Sequence, residues 1–270
     1  FNLDGNTTIE AVYQLRQWDL SVQSTPITGV EIASTTGDDG TTNYTSEDIN
    51  SGNAVNLQAP AQVVSGATAY SFAHWWLDGV EQTHLQTALD SNIAANATAV
   101  AEYTSVGPAP MLHVWSYNAG GNEIPISSTT GHDCKTNANI NCWPGAWVVL
   151  TAPATHVSDS SGYRFVRWWY NGYAISNRTI NFAISSETWA VAEYAAAPLY
   201  DLSVKTYNLP GDNAQITSTT GHGGYTNYEQ DVISATWVVL TAPALVDVTG
   251  TDYSFVRWWY NGYAIANRTL

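Results

Sequence analysis

The sequence predicts an all-β fold made of three tandem, small antiparallel β domains. The first observation is an internal repeat, because the tetrapeptide STTG begins at 34, 128 and 218 and the pair Trp-Trp begins at 75, 168 and 258. The second is that each copy of about 90 residues contains short, alternating apolar and polar runs separated by Gly, Asn and Pro. The third is that no window shows the sustained periodicity of an amphipathic helix.

Each copy is predicted to contain the same ordered series of strands. An alternating strand such as LSVKT (202–206) comes first, and a second strand ends at STTG. A polar loop follows, and the β-branched run WVVLTAP of copies two and three forms the next strand, which its Pro ends. The aromatic strand FVRWWY then leads to an Asn-Gly hairpin turn, or Asp-Gly in copy one. The closing strands are ATAVAEY (97–103) and TWAVAEY (188–194).

The paired tryptophans predict that the aromatic strand has two apolar faces. Neighbouring side chains of a strand point to opposite faces, so one Trp of each pair belongs to the core. We expect the core of copies two and three to include Trp168, Trp258, Phe165, Phe255, Val149, Val239, Leu150 and Leu240. The opposite face, called the outer aromatic face below, is expected to carry Trp76, Trp169, Trp259, Tyr173 and Tyr263.

Three roles are open for the outer aromatic face: a second core layer, a contact between domains or subunits, or a platform for glycans. A contact role fits because large exposed aromatic patches are rarely left to water, and because Tyr and Trp are typical interface anchors. Arg167 and Arg257 lie two residues before the outer Trp in copies two and three, so we expect them to stack on these rings as cations.

The phase of the repeat predicts four segments: residues 1–13, then repeats at 14–106, 107–197 and 198–270. Short junctions containing Pro are typical of semi-rigid linkers between tandem domains. The third copy reaches Leu270 without a closing strand, whereas residues 1–13 have the turn, the alternation and the final Tyr of such a strand. Three units of about 90 residues therefore account for all 270 positions.

Residues 1–13 are accordingly predicted to close a β unit other than the one that follows them. The residues expected to make this strand contact are Phe1, Leu3, Ile9, Ala11 and Tyr13. Two arrangements are open: the segment completes the third copy of a neighbouring subunit by strand addition, giving a head-to-tail homopolymer, or it belongs to the preceding domain of one long array.

The order of apolar, Gly and Trp positions resembles the divergent InlB B-repeat family. Its pattern is matched by LSVKT (202–206), VVLTAPA (238–244), YSFVRW (253–258) and FNLDGNTTIEAVY (1–13). The second Trp of each pair, the STTG loop and the Cys pair depart from that pattern. The resemblance implies β-grasp-like modules, with an immunoglobulin-like sandwich as the alternative, on secreted or surface-anchored proteins, and it implies no enzyme activity and no site residues.

Composition excludes several other functions. With 8 basic and 23 acidic residues the formal charge is −15, which disfavours binding to nucleic acid. No apolar run approaches the ~20 residues of a membrane span. The six His residues are scattered, and no catalytic or phosphate-binding motif is present. We therefore predict no catalytic residues, no cofactor and no metal, and we expect His132 and His222, which follow STTG in two copies, to be surface loop residues.

Cysteines and sequons are the candidate covalent sites. Cys134 and Cys142 are eight positions apart with no other Cys, which favours a local disulfide over a zinc site, the alternative being two free buried thiols. Asn-X-Ser/Thr sequons make N-glycosylation candidates of Asn6, Asn43, Asn96, Asn177 and Asn267.

These observations predict a non-catalytic, extracellular or cell-surface structural repeat protein. It is expected to be the subunit of a filament, stalk or surface layer, with copies of itself or adjacent repeats of the same chain as partners. The alternative is a carbohydrate-binding or adhesin region of a larger secreted protein, for which glycans would be the ligand.

Overall fold

The computed structural model describes residue 8 and residues 10–82, 88–119, 123–158, 160–210 and 214–270. Within these residues the chain forms strands, turns and loops and no helix, which confirms the predicted all-β class. Three residues of the predicted inter-subunit strand, Phe1, Leu3 and Ile9, and one predicted sequon, Asn6, lie outside the described residues.

Residues 17–108 form ten strands, a consequence of their alternating Val, Leu, Thr and aromatic residues. They are β1 (Gln17–Thr25), β2 (Glu31–Ser34), β3 (Gly40–Thr41), β4 (Tyr44–Asn50), β5 (Ala54–Gln58), β6 (Gln62–Ser65), β7 (Thr68–Leu77), β8 (Val80–Gln82), β9 (Ala88–Asn92) and β10 (Ala97–Pro108). One sheet has the order β4-β1-β10-β7-β6, with β8 paired to β7. A second sheet has the order β3-β2-β5-β9.

The first sheet is mixed, not wholly antiparallel as expected. Its first and last strands in the chain, β1 and β10, are parallel neighbours, with Val22 opposite Ala99. The pairs β1-β4, β7-β10, β6-β7 and β7-β8 of this sheet are antiparallel. This order arises because the closing strand enters the middle of the sheet, between β1 and β7, where it forms hydrogen bonds along both edges.

The core of this part of the chain lies between its two sheets. Leu20, Val22 and Trp75 from the first sheet pack in one cluster with Ile32 and Leu57 from the second. In β1 and β5 the buried residues alternate with partly buried ones, as the period of two requires.

Residues 111–197 repeat much of this pattern. Their strands are β11 (Met111–Tyr117), β12 (Pro125–Ile126), β13 (Cys134–Lys135), β14 (Ala138–Asn141), β15 (Ala146–Thr151), β16 (Thr155–Ser158), β17 (Ser161–Tyr170), β18 (Tyr173–Ile175), β19 (Thr179–Ile184) and β20 (Thr188–Ala197). The main sheet has the order β14-β11-β20-β17-β16, with β18 paired to β17, so the closing strand β20 is again internal. Two smaller pairs are β12-β13 and β15-β19.

Residues 199–265 form only two-stranded sheets. The strands are β21 (Leu199–Val204), β22 (Gln215–Ile216), β23 (Gly224–Tyr225), β24 (Tyr228–Ile233), β25 (Leu245–Val248), β26 (Thr251–Ser254), β27 (Trp258–Tyr260) and β28 (Tyr263–Ile265). They pair as β21-β24, β22-β23, β25-β26 and β27-β28. No described strand occupies the place that β10 and β20 take in the other two sheets.

The described residues fall into two compact units. One comprises those within Phe1–Leu112, Asn139–Trp147 and Ala183–Thr188, and the other those within His113–Ala138, Val148–Phe182 and Trp189–Leu270. These units do not coincide with the sequence repeats, so the boundaries at 14–106, 107–197 and 198–270 stay a prediction.

Several predicted core residues are buried, and one choice is corrected. Trp168, Leu150 and Leu240 are buried. In β15 the buried residues are Val148 and Leu150, whereas Val149 is only partly buried, because successive side chains alternate between faces. The remaining predicted core residues are partly buried: Val239, Phe165, Phe255 and Trp258.

Candidate functional site

The two tryptophans of each pair lie on opposite faces of the aromatic strand. Trp75 and Trp168 are 0% exposed, and the Trp168 indole donates a hydrogen bond to the Arg178 carbonyl at 2.8 Å. Trp258 makes the equivalent bond to the Arg268 carbonyl at 2.9 Å but is partly exposed. The inner Trp is thus a core residue, and its indole N–H is hydrogen bonded to a backbone carbonyl.

The outer tryptophans bind a carboxylate from the closing strand. Trp76 donates to Glu102 at 2.5 Å, and Trp169 donates to Glu193 at 2.8 Å. Arg167 Nε lies 3.1 Å from Glu193, and its guanidinium carbon is 5.6 Å from the Trp169 ring centroid. The two glutamates were not singled out in the sequence, although the AVAEY shared by the two closing strands carries them.

The outer aromatic face is most exposed in the third copy. Arg257 stacks near Trp259 with a carbon-to-centroid distance of 5.9 Å, and Trp259 is 63% exposed. Tyr173 and Tyr263 are both exposed, while Trp76 is partly buried. The predicted stacking of both arginines is observed, and the role of the face as a contact surface stays a prediction.

A tyrosine fixes the end of each closing strand to the opposite loop. The hydroxyl of Tyr103 donates to the Pro60 carbonyl at 3.0 Å, and that of Tyr194 donates to the Pro153 carbonyl at 3.2 Å. Both side chains are buried, and burial raises the pKa of each phenol well above its ordinary value. Pro243 occupies the equivalent position in the third copy.

Two apolar residues of the third copy are more exposed than their equivalents in the other two copies, whose sheets contain a closing strand. Leu20 and Leu112 are buried, whereas Leu202, at the same position, is partly exposed. Trp258 differs from Trp75 and Trp168 in the same way. Leu240, on the far side of the core, remains buried. The partly exposed apolar surface formed by Leu202 on β21 and Trp258 on β27 is called the third-copy groove below.

The described residues of the predicted inter-subunit strand make no strand pairing in their own chain. Residues 10–16 are in irregular structure. Tyr13 is 91% exposed and Val12 87% exposed, and Ala11 is exposed as well. Whether another element covers these exposed apolar side chains stays a prediction.

The predicted disulfide is wrong for this structure, because Cys134 and Cys142 are free thiols. Cys134 lies on β13 opposite Ile126. Cys142 is buried beyond β14, and its amide donates to the Pro110 carbonyl at 2.9 Å. The alternative of two free thiols is the one observed. Burial raises the pKa of Cys134 to about 11 and also raises that of Cys142.

The loop histidines after STTG have a local structural role. His132 Nδ1 is 3.0 Å from the Thr130 hydroxyl, and His222 Nδ1 is 2.9 Å from the Thr220 hydroxyl. Partial burial lowers the pKa of His132. Asp38 fills this position in copy one and accepts a hydrogen bond from Thr36 at 2.6 Å. Within the described part of the chain, no three His, Cys, Asp or Glu side chains are grouped so that they could hold a metal ion.

Four sequon asparagines are exposed: Asn43, Asn96, Asn177 and Asn267. Their side-chain oxygens accept backbone hydrogen bonds, as in the contact from Asp19 to Asn96 at 3.0 Å. Glycosylation at these positions stays a prediction. No helix in the described residues has the length and apolarity needed to cross a membrane.

Comparison with known proteins leaves the family open. No family model matches the chain, so the resemblance to the InlB B-repeat family has no independent support, and no curated protein matches it either. Among solved structures, the chain is similar to domains 3–4 of the Streptococcal High Identity Repeats in Tandem (SHIRT) of a cell surface protein, at 12% identity. That match covers 67% of this chain and 99% of the other, with a TM-score of 0.18, and at this score it carries no structural argument.

Proposed function

We propose that this protein is a non-catalytic structural repeat subunit of an extracellular filament, stalk or surface layer, assembled head to tail by strand complementation. The observation that supports it most is the third-copy groove, where two strands that flank an internal closing strand elsewhere have none between them. Unpaired strand edges beside an exposed apolar surface favour the addition of a strand from another chain.

The occupant we propose is the segment 1–13 of a second copy. Its described residues are exposed, and Ala11 and Tyr13 are two apart, as Ala101 and Tyr103 are in β10 and Ala192 and Tyr194 are in β20. A subunit with a free strand at one place and a groove at another makes a heterologous contact that repeats without closure. The product is a linear polymer.

We infer a location outside the cell from the residue composition of the protein surface. Only 11% of residues are charged, and the described surface exposes many Thr, Ser, Asn and aromatic residues. Serial β repeats with exposed sequons are typical of secreted and surface proteins. Mass spectrometry of the native protein should find glycan on at least one sequon, and an intact mass equal to the bare chain would argue against glycosylation.

A matched pair of variants of the full chain tests the assembly. Ala101 and Ala192 lie opposite Trp75 and Trp168 in the sheet and are fully buried. Ala11→Gln should therefore block insertion, since it places a long polar side chain against Trp258, and burying an unpaired amide is unfavourable. Val12→Gln should not block it, because Glu102 and Glu193, at that position, face outward and are polar.

Electron microscopy and sedimentation velocity provide the readout. We expect fibres from the wild-type chain and from Val12→Gln, and monomers from Ala11→Gln with an unchanged circular dichroism spectrum. A wild-type chain that stays monomeric at high concentration, or fibres unaffected by Ala11→Gln, would contradict the proposal and favour closure by another segment of one long chain.

Carbohydrate binding is the second candidate, and the exposure of Trp259 with its neighbours Tyr260 and Tyr263 favours it. Against it, a guanidinium lies near the ring of Trp169 and another near Trp259, at positions where a sugar would stack. Binding to a glycan array that is lost in Trp259→Ala would establish this function independently of assembly.

A further inference from the structure

We infer that a pocket lined by Arg164 and Arg178 binds an acidic sugar, whose carboxylate or sulfate group is held by the two guanidinium groups. The residues that line this pocket belong neither to the outer aromatic face nor to the third-copy groove. The inference goes beyond the proposed function and does not depend on it.

The pocket has a volume of about 470 Å³, within the range of roughly 300–1,000 Å³ that is typical of small-molecule sites. Its lining comes from β16 and β17, from the loop between β18 and β19, and from the turn that follows β24. All of these residues belong to the same compact unit.

Backbone hydrogen bonds fix the turn that follows β24. The Ser234 amide donates to the Pro198 carbonyl at 2.8 Å, and the Thr236 amide donates to the Ile233 carbonyl at 3.1 Å. Ala235 and Thr236 of this turn line the pocket, so the third copy contributes to it through a segment that is held in place. The pocket is therefore preformed, as small-molecule sites usually are.

The charge of the pocket is opposite to that of the chain as a whole. Arg164 on β17 and Arg178 just before β19 are two of only eight Lys and Arg residues. None of the described residues that line the pocket is acidic, although the chain has 23 Asp and Glu. Cations gathered in a cleft without counter-charges attract an anion, so the expected ligand is negatively charged.

Both arginines retain hydrogen-bond donors that the protein does not use. Nη2 of Arg164 is buried and has no hydrogen-bond partner among the described residues, which is unfavourable for a polar group. Nη1 of Arg178 makes one long bond, 3.4 Å to the Ala152 carbonyl. The planar fork of a guanidinium group fits two oxygens of a carboxylate or sulfate, so these donors suit an oxyanion.

Arg164 distinguishes the second copy from the other two. The equivalent residue is Ser71 in copy one and Ser254 in copy three. Arg178 has an equivalent in Arg268, whose Nη1 makes the corresponding bond to the Ala242 carbonyl at 3.2 Å. Arg178 thus shares a structural contact with another copy, whereas the fold does not require an arginine at the position of Arg164.

The remaining lining residues favour a sugar over a bare ion. Thr155 lies opposite Arg164 in the β16-β17 pair, so the two side chains lie on the same side of the sheet. Thr155, Ser176 and Thr236 provide hydroxyl groups, which both donate and accept hydrogen bonds, as the hydroxyls of a sugar do. Phe165 and Val166 add apolar surface against which the C–H groups of a sugar ring can pack.

Calorimetric titration of the full chain tests this site. The probes are glucuronate and glucose 6-sulfate as acidic sugars, glucose as the neutral sugar and sodium sulfate as the bare anion. We expect each acidic sugar to bind at least about tenfold more tightly than glucose or sulfate, because only the acidic sugars engage both the guanidinium groups and the other lining residues. Raising the salt concentration should weaken this binding.

Arg164→Ser is the diagnostic variant, because copies one and three have serine at this position. It should weaken acidic-sugar binding about tenfold. Arg164→Lys keeps the charge but loses the planar fork, so it should weaken binding by a smaller factor. Arg257→Ser removes the same charge at an exposed position of the outer aromatic face, and this matched control should bind as the wild type does. Thermal melts followed by circular dichroism check that each variant is folded.

Three results would overturn the inference. The first is that neither acidic sugar binds the wild type below about 10 mM. The second is that sodium sulfate binds as tightly as the acidic sugars, which would leave only a general anion site. The third is that Arg257→Ser loses binding and Arg164→Ser does not, which would place the ligand on the outer aromatic face. None of these results bears on strand complementation, which Ala11→Gln and Val12→Gln test separately.

Discussion

At the scale of the residue, each large aromatic side chain discussed here lies where its polar hydrogen finds a hydrogen-bond acceptor. Trp168 and Tyr194 are fully buried, and each uses its one polar hydrogen on a backbone carbonyl. Trp169 points away from the core and binds Glu193. An aromatic side chain with a polar group is stable in a core only when that group is paired, so these bonds decide which residues face inward.

We predict that Trp168→Ala destabilises the protein by about 3–5 kcal/mol, as expected for removing a fully buried aromatic side chain. In the monomeric Ala11→Gln background, Trp258→Ala should cost less, because that side chain is already partly exposed. Urea denaturation followed by circular dichroism measures both. Equal losses would show that the third-copy groove is closed even in the monomer.

We also predict that both cysteines are free but react slowly. The thiolate is the nucleophile, so a pKa of Cys134 raised to about 11 leaves little reactive species at neutral pH. Iodoacetamide labelling of the native protein should be slow near pH 7 and accelerate as the pH rises towards 11. In denaturant without reductant, mass spectrometry should show two alkyl groups per chain. A chain with no alkyl group would instead support a disulfide between the two cysteines.

At the scale of the element, the closing strand decides whether each sheet is complete. It lies inside the sheet, so its backbone is hydrogen bonded along both edges, as β20 is between β11 and β17. A sheet of this order without its internal strand would consist of separate strand pairs. In residues 199–265 the structure has such pairs, among them β21-β24 and β25-β26. Two-stranded sheets are only marginally stable by themselves, so the proposed donated strand would stabilise this part of the chain.

Close packing of β17 against the strands that follow it gives an element-scale prediction. A Cβ on Gly162 would lie 2.7 Å from the Ala197 carbonyl oxygen and 2.9 Å from a methyl carbon of Leu199. Gly162→Ala should therefore destabilise the protein by about 1–3 kcal/mol through overpacking. Ser161→Ala, at the exposed neighbouring position, should change the unfolding free energy by less than about 0.5 kcal/mol. Equal effects of the two substitutions in urea denaturation would show that this packing is loose.

At the scale of the whole molecule, residues 10–16 are exposed and irregular, and residues 199–265 form only two-stranded sheets. The chain's high negative charge opposes random aggregation, so association depends on a contact that satisfies many backbone groups at once. The strand insertion proposed above would provide such a contact.

Assembly should stabilise the third copy more than the other two. We expect the Ala11→Gln monomer to show a low-temperature transition in calorimetry that is absent from the wild-type polymer, because the donated strand buries Leu202 and Trp258. Val12→Gln should melt as the wild type does. The same low-temperature transition in the wild-type polymer would show that the groove stays empty on assembly.

The sequence by itself determined the all-β class, the ordered series of strands and the opposite faces of each Trp pair, because alternation, turn residues and exact repeats are local properties. It did not determine that β1 and β10 are parallel, that Val148 rather than Val149 is buried, or that Cys134 and Cys142 remain thiols. Those outcomes depend on which strands become neighbours, and only the tertiary structure decides this, because it pairs residues as distant in the sequence as Gln23 and Val100.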